Sequence, residues 1–242
     1  MIKRIGLLTS GGDCQALNAT MRGVVKALSN AVEDLEVYGF DDGYKGLIYG
    51  KYRMLTAKDF SGILTQGGTI LGTSRQPFKL MRVPDENGLD KVEAMKQTYY
   101  KLCLDCLVIL GGNGTQKTAN LLREEGLNII HLPKTIDNDI AMTDHSPGYG
   151  SAARFIAAST QEVGEDVKSL PIHVCIMEAM GRNAGWITAA SALARREQGD
   201  APHLIYLPER NFNEDEFLED VSEDTLPNEA TGFKDSKVWN ML

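Results

Sequence analysis

The chain is short of cysteine, of aromatic residues and of positive charge, and each shortage removes a class of protein. Its 242 residues hold four cysteines, Cys14, Cys103, Cys106 and Cys175, too few for a disulfide scaffold. Cys103 and Cys106 make a single C-x-x-C pair where a zinc ribbon needs two. Because Cys106 opens the apolar run 107–110, the pair reads as structural and reduced. His131, His145, His173 and His203 have no H-E-x-x-H or related spacing, so a zinc enzyme is not expected. Lys and Arg number 25 against 33 Asp and Glu, a net charge of −8, which argues against a broad basic face for nucleic acid. No apolar run approaches the roughly 18 residues of a membrane span, and the first residues lack a signal-peptide pattern. The expectation is a cytoplasmic protein with neither a membrane nor a nucleic acid as partner.

What remains is 43% hydrophobic residues and 24 glycines, an ordinary globular composition. At roughly 150 residues per domain the length fits one or two domains. Residues 5–8, 107–110, 128–132, 174–177 and 204–207 are short aliphatic runs without alternation, as in buried parallel strands. Residues 16–29, 116–125, 151–167 and 185–196 carry apolar residues at helical spacing. The alternation predicts an α/β fold, Rossmann-like parallel-sheet layers with helices on both faces. Residues 135–150 are polar and turn-rich and read as a lobe crossing. Beyond Glu209 the pattern decays to one acidic helix over 215–221 and an irregular tail.

Several predicted strands end in chemistry. Thr9-Ser10-Gly11-Gly12-Asp13 follows the first strand, and paired glycines before a helix let backbone N–H groups approach a phosphate, although a plain tight turn explains them equally well. Gly111-Gly112-Asn113-Gly114-Thr115 repeats the design with three glycines in four positions, which points to phosphate binding. Asn113 there is a candidate magnesium ligand, direct or through water. Lys134 and Thr135, after residues 128–132, offer a cation and a hydroxyl to phosphate oxygens. Asp137 and Asp139 follow, two apart in what reads as an extended segment, so that both face one crevice, one taking a proton and one positioning metal or substrate. The competing reading is an Asx-turn with solvated carboxylates. Met180-Gly181-Arg182 follows 174–177, its guanidinium suited to bidentate phosphate binding, and Arg75 closes a further Gly-rich loop. Phosphate-suited loops with paired acids point to phosphoryl transfer.

These motifs, with Asn18-Ala19 in the first helix, resemble the 6-phosphofructokinase family in order and spacing from Met1 to about Glu209. The resemblance implies a two-lobed fold assembling as a homo-oligomer, dimer or tetramer. It also implies magnesium-dependent transfer of a phosphoryl group to the 1-hydroxyl of fructose 6-phosphate. It assigns Asp137 as general base, with Thr135 and Asp139 as neighbouring substrate and metal contacts and Met180, Gly181 and Arg182 on the sugar phosphate. Gly11 and Arg75 contact the donor phosphates and Gly114 borders the donor, beside Gly112, Asn113, Thr115 and Lys134. Asn113 replaces the aspartate most members carry for magnesium. His173 replaces an arginine that in many bacterial members reaches the neighbouring subunit.

ATP is the expected donor, because pyrophosphate-using members carry aspartate at the position of Gly114; Lys134 and residues 143–148 look more like those members. The expected organisation is a donor lobe over 1–140, a partial acceptor lobe over 141–210 and a tail over 211–242. Further acceptor-binding residues of the family are not found in 211–242, so the chain reads as truncated. Two alternatives stand beside the ATP-dependent enzyme: a pyrophosphate-dependent one, and an inactive nucleotide-binding or partner-subunit module.

Overall fold

The computed structural model describes residues 3–170, 174–225 and 237–241; His173 lies outside them. The chain divides into two compact units, Met1–Thr135 and Ile136–Leu242.

The first unit is built on five strands, β1 (Lys3–Ser10), β2 (Leu35–Phe40), β3 (Tyr52–Leu55), β4 (Cys106–Gly111) and β5 (Ile129–Pro133). They lie in the order β3-β2-β1-β4-β5. All neighbours are parallel except β3, an antiparallel edge strand on β2. Four helices complete the unit: α1 (Leu17–Ala31), α2 (Tyr44–Tyr49), α3 (Lys91–Lys101) and α4 (Asn113–Glu124). Strand alternation divides the core in two. Leu8, Phe40, Leu107 and Ile109 pack with Leu47, Met95 and Leu122 from α2, α3 and α4. Leu7, Val108 and Leu110 are equally buried on the opposite face, which α1 covers with Leu17, Met21 and Val25. The sheet is therefore the predicted parallel-dominated one with helices on both faces. Asp90 starts α3 by accepting from the N–H groups of Val92 and Glu93.

The second unit carries α5 (Tyr149–Ser169), β6 (Val174–Glu178), the short α6 (Trp186–Ala190) continuing as a 3-10 turn (Ser191–Ala194), α7 (Glu214–Thr225) and β7 (Lys237–Met241). Its core joins Ala153 and Ile156 of α5 to Ile187 and Ala190 of α6. Two details differ from expectation. Residues 204–207 form only an isolated bridge at Ile205 and no strand: Pro202 and Pro208 bracket them and lack N–H donors for a ladder, and their side chains line a cleft of about 800 Å³ with Phe212 and Asp220. The tail, read as irregular after its helix, contains β7, which pairs in parallel with β6.

Candidate functional site

The order of strands in the first unit reverses at β1, with β2 on one side and β4 on the other. In open α/β sheets ligands bind beyond the carboxyl ends of the strands at such a reversal. Ser10 pairs with Gly111 in register, so the two glycine loops leave the sheet side by side at one level. Thr115, on the first turn of α4, ties them together. Its Oγ1 donates to the Ser10 carbonyl at 3.0 Å, and its own carbonyl accepts from the buried Tyr44 hydroxyl at 2.8 Å. Burial holds the Tyr44 phenol far above its ordinary range, so it stays a donor.

The glycines are fitted to this junction. A Cβ at Gly111 would stand 2.5 Å from the Cβ, Cγ2 and Oγ1 of Thr115. Gly11 has a φ of +91°, a left-handed conformation that side chains disfavour. Gly114 is different, since a Cβ there would meet no atom within 4 Å. The start of α4 is thus unobstructed at Gly114, and its first-turn N–H groups have no intrahelical acceptor and favour an anion.

Lys134 completes this side. Its N–H donates to the Gly111 carbonyl at 3.1 Å as β5 ends, and its Nζ lies 3.6 Å from where a Cβ on Gly12 would be. The ammonium therefore stands over the first glycine loop. Arg75 arrives by a route that spacing alone does not reveal. The Gly11 N–H donates to the Ser74 carbonyl at 3.2 Å, and the Thr73 hydroxyl donates to the Gly11 carbonyl at 2.7 Å. The exposed Arg75 is thereby fixed one residue from the β1 loop. Burial pushes the nearby Cys14 thiol up, against a lowering by Lys134, so it stays protonated and inert.

In the second unit Asp137 and Asp139 flank a turn at Asn138, not an extended strand. Asn138 is buried with a φ of +57°, its Oδ1 accepting from the Ser146 N–H at 2.8 Å and its Nδ2 donating to the Asp144 carbonyl at 3.2 Å. This corrects the expectation of an extended Asp137-Asn138-Asp139 segment. The middle residue adopts the left-handed conformation that asparagine tolerates, and it clasps the following loop; Asp137 is half-buried and Asp139 exposed. Ile136 and Ala179 pack against the same α5–α6 core, which brings the Asp137 turn and the Met180-Gly181-Arg182 turn to one neighbourhood of this unit. Gly181 has a φ of +122°, and a Cβ on it would overlap the Ala184 carbonyl oxygen. Met180 and Arg182 are exposed.

For magnesium, the exposed Asn113 could offer a neutral side-chain oxygen at the start of α4, and no group of three or more acidic, histidine or cysteine ligands occurs among the described residues. Asn18, whose Oδ1 accepts from the Ile70 N–H at 2.8 Å, and Thr9, whose Oγ1 lies 2.8 Å from that of Thr69, tie the loop before Arg75 to the first strand and helix; the sequence signal for this is an asparagine on the otherwise apolar face of α1. In the second unit Glu209 accepts from the Gly185 N–H at 2.8 Å ahead of α6, which loop composition did not reveal.

Comparison with known proteins identifies the family. A family model described as "Phosphofructokinase" matches residues 4–236. An ATP-dependent 6-phosphofructokinase of Spirochaeta thermophila is 49% identical over 216 residues, covering 86% of this chain and 56% of the relative. ATP-dependent 6-phosphofructokinase 3 of Bacteroides thetaiotaomicron is 44% identical over 211 residues, covering 87% of this chain and 60% of the relative. Among solved structures, the pyrophosphate-dependent phosphofructokinase of Nitrosospira multiformis superposes with a TM-score of 0.81 at 26% identity, covering 99% of this chain and 61% of that one. Its counterpart from Marinobacter aquaeolei gives 0.78 at 28% identity, over 99% of this chain and 60% of that one. The chain spans about 56% and 60% of the length of these two curated relatives. On its motifs, its sheet and these matches, the chain belongs to the phosphofructokinase family.

Proposed function

We propose that the chain carries the phosphoryl-donor lobe and part of the acceptor lobe of an ATP-dependent 6-phosphofructokinase, which moves the terminal phosphoryl group of ATP to the 1-hydroxyl of fructose 6-phosphate. Phosphoryl transfer asks a protein mainly for positioning and charge stabilisation. In this reading the backbone of Gly11 and Gly112, the α4 N-terminus at Asn113, Gly114 and Thr115, and the cations of Lys134 and Arg75 hold the donor phosphates. Asp137 takes the proton of the attacking hydroxyl, Thr135 and Asp139 orient the acceptor, and Met180, Gly181 and Arg182 hold the sugar phosphate. Magnesium bound with the donor neutralises charge on the phosphate oxygens, with Asn113 as its protein contact.

The observation that carries ATP over pyrophosphate is the open space at Gly114, where a nucleotide's α-phosphate and ribose have room. The curated relatives named above are ATP-dependent by name. Pyrophosphate is the second reading, favoured by the Lys134 ammonium over Gly12, which suits a compact anion. A homo-oligomer in the cytoplasm belongs to the same proposal; among the described residues no helix is long and apolar enough to cross a membrane.

The test is a coupled assay for fructose 1,6-bisphosphate with ATP and magnesium. Asp137→Asn should lower turnover by about 10²-fold or more, the worth of a positioned base, while ATP binding survives. Undiminished turnover in that variant removes Asp137 from the chemistry. ATP binding without turnover in the wild type favours the inactive nucleotide-binding module.

A further inference from the structure

Asn18 sits on the face of α1 that otherwise buries Leu17, Met21 and Val25, and it is fully buried itself. An amide in such a place is costly unless each of its donors and acceptors finds a partner, and here each does. Its Nδ2 donates to the carbonyls of Gln66 and Gly67 at 3.1 and 3.3 Å. Its Oδ1 accepts from the Ile70 N–H at 2.8 Å, and its own backbone N–H donates to the Gly68 carbonyl at 3.1 Å. All four bonds go to the five residues 66–70, of which Gln66 and Gly67 are exposed. A loop at the surface has water available for its carbonyls, so satisfying them is not what the arrangement achieves. What it fixes is the path of the loop across the end of β1.

That path leads to the donor site. Thr69 Oγ1 meets Thr9 Oγ1 at 2.8 Å, and Thr9 also donates to the Gly72 carbonyl at 2.8 Å. Thr73 and Ser74 then bond both backbone groups of Gly11, and Arg75 follows. Hydrogen bonds thus hold the loop at successive points from Gln66, bonded to Asn18, to Ser74, the residue before Arg75.

We propose that Asn18 is a positioning residue for phosphoryl-donor binding, acting through the 66–75 loop to hold Arg75 beside the Gly11 loop. The inference rests on the donor-site reading above and adds to it a residue that does not touch the donor. Asn18→Ala removes the side-chain bonds to Gln66, Gly67 and Ile70 while the backbone bond to Gly68 stays; the loosened loop lets Arg75 swing away, so ATP affinity falls by roughly tenfold, the effect of about one to two net hydrogen bonds.

The deciding experiment is a double-mutant cycle on the 242-residue chain, reading the Kd for ATP by calorimetry in wild type, Asn18→Ala, Arg75→Ala and the double variant. A positioning role predicts that the double variant binds no more weakly than Arg75→Ala, since Asn18 has nothing left to position. If the two losses multiply instead, Asn18 supports the fold and not Arg75, and the inference is overturned; wild-type affinity in Asn18→Ala overturns it as well. Should Asn18→Ala fail to fold, Thr73→Val, which removes only the bond to the Gly11 carbonyl, takes its place in the same cycle with the same two outcomes. A wild-type chain that binds no ATP overturns the donor-site reading itself, whereas wild-type binding with multiplied losses overturns this inference alone.

Discussion

A single methyl group at Gly111 tests whether Thr115 really fastens the two glycine loops together. The added Cβ would stand 2.5 Å from three atoms of Thr115. One of these is the Thr115 Cβ, so no rotation about χ1 relieves the clash. The buried Thr115 must move, and with it the hydroxyl that donates to the Ser10 carbonyl at 3.0 Å. Forcing a methyl into packed surroundings costs about 1–3 kcal/mol, and losing a buried hydrogen bond about another 1 kcal/mol. Gly111→Ala should therefore destabilise by about 2–4 kcal/mol. At roughly 2–4 °C per kcal/mol for a chain of this size, its Tm should fall by about 5–15 °C in a thermal melt followed by circular dichroism. Gly114→Ala is the matched control three residues on. A Cβ there meets nothing within 4 Å, and alanine is the better helix former by about 1 kcal/mol, so its Tm should hold or rise. Equal melting temperatures for wild type and Gly111→Ala would refute the junction.

Two further outcomes follow from single residues. His131 lies on β5 with Nε2 buried and without a hydrogen-bond partner, and burial holds its pKa below the usual 6.5 against a backbone contact with Gly111 that raises it. The unfolded chain then binds the proton first, so His131 contributes a loss of stability as the pH falls below about 6.5; His131→Phe should flatten the decline in Tm between about pH 7 and pH 5, and an unchanged profile would count against the burial. Gly181→Ala should lower stability by about 1–3 kcal/mol in a denaturant titration, because its left-handed φ and the Ala184 carbonyl both oppose a side chain; a wild-type midpoint would contradict the turn.

Much of this fold was legible because buried parallel strands announce themselves as unbroken aliphatic runs. β1, β4 and β5 did so, and α1, α4 and α5 showed their apolar spacing. β2 escaped for physical reasons. Its Glu36 is a half-buried acid paired with Arg4 at 2.8 Å, and its Gly39 breaks the run because a Cβ would stand 2.5 Å from Leu55 and 2.7 Å from Leu71. The short α2 and the edge strand β3 gave too little periodicity to register. Of the candidate site, the strand-end position of the glycine loops followed from sequence order. The placement of Arg75 did not, because it depends on hydrogen bonds of Thr73 and Ser74 with Gly11, residues more than 60 apart in the chain. Nor did the turn at Asn138, where a side-chain clasp overrides the extended conformation that the pattern suggested.

If the start of α4 receives a nucleotide, Gly114→Asp should exclude it. The measurement is the Kd for ATP and for pyrophosphate, each with magnesium, in wild type and in the variant. Wild type should bind ATP, and a carboxylate at this position should fill the space and repel the α-phosphate, weakening ATP by about 10²-fold or more while pyrophosphate is affected far less. Undiminished ATP affinity in Gly114→Asp would contradict nucleotide binding at the start of α4.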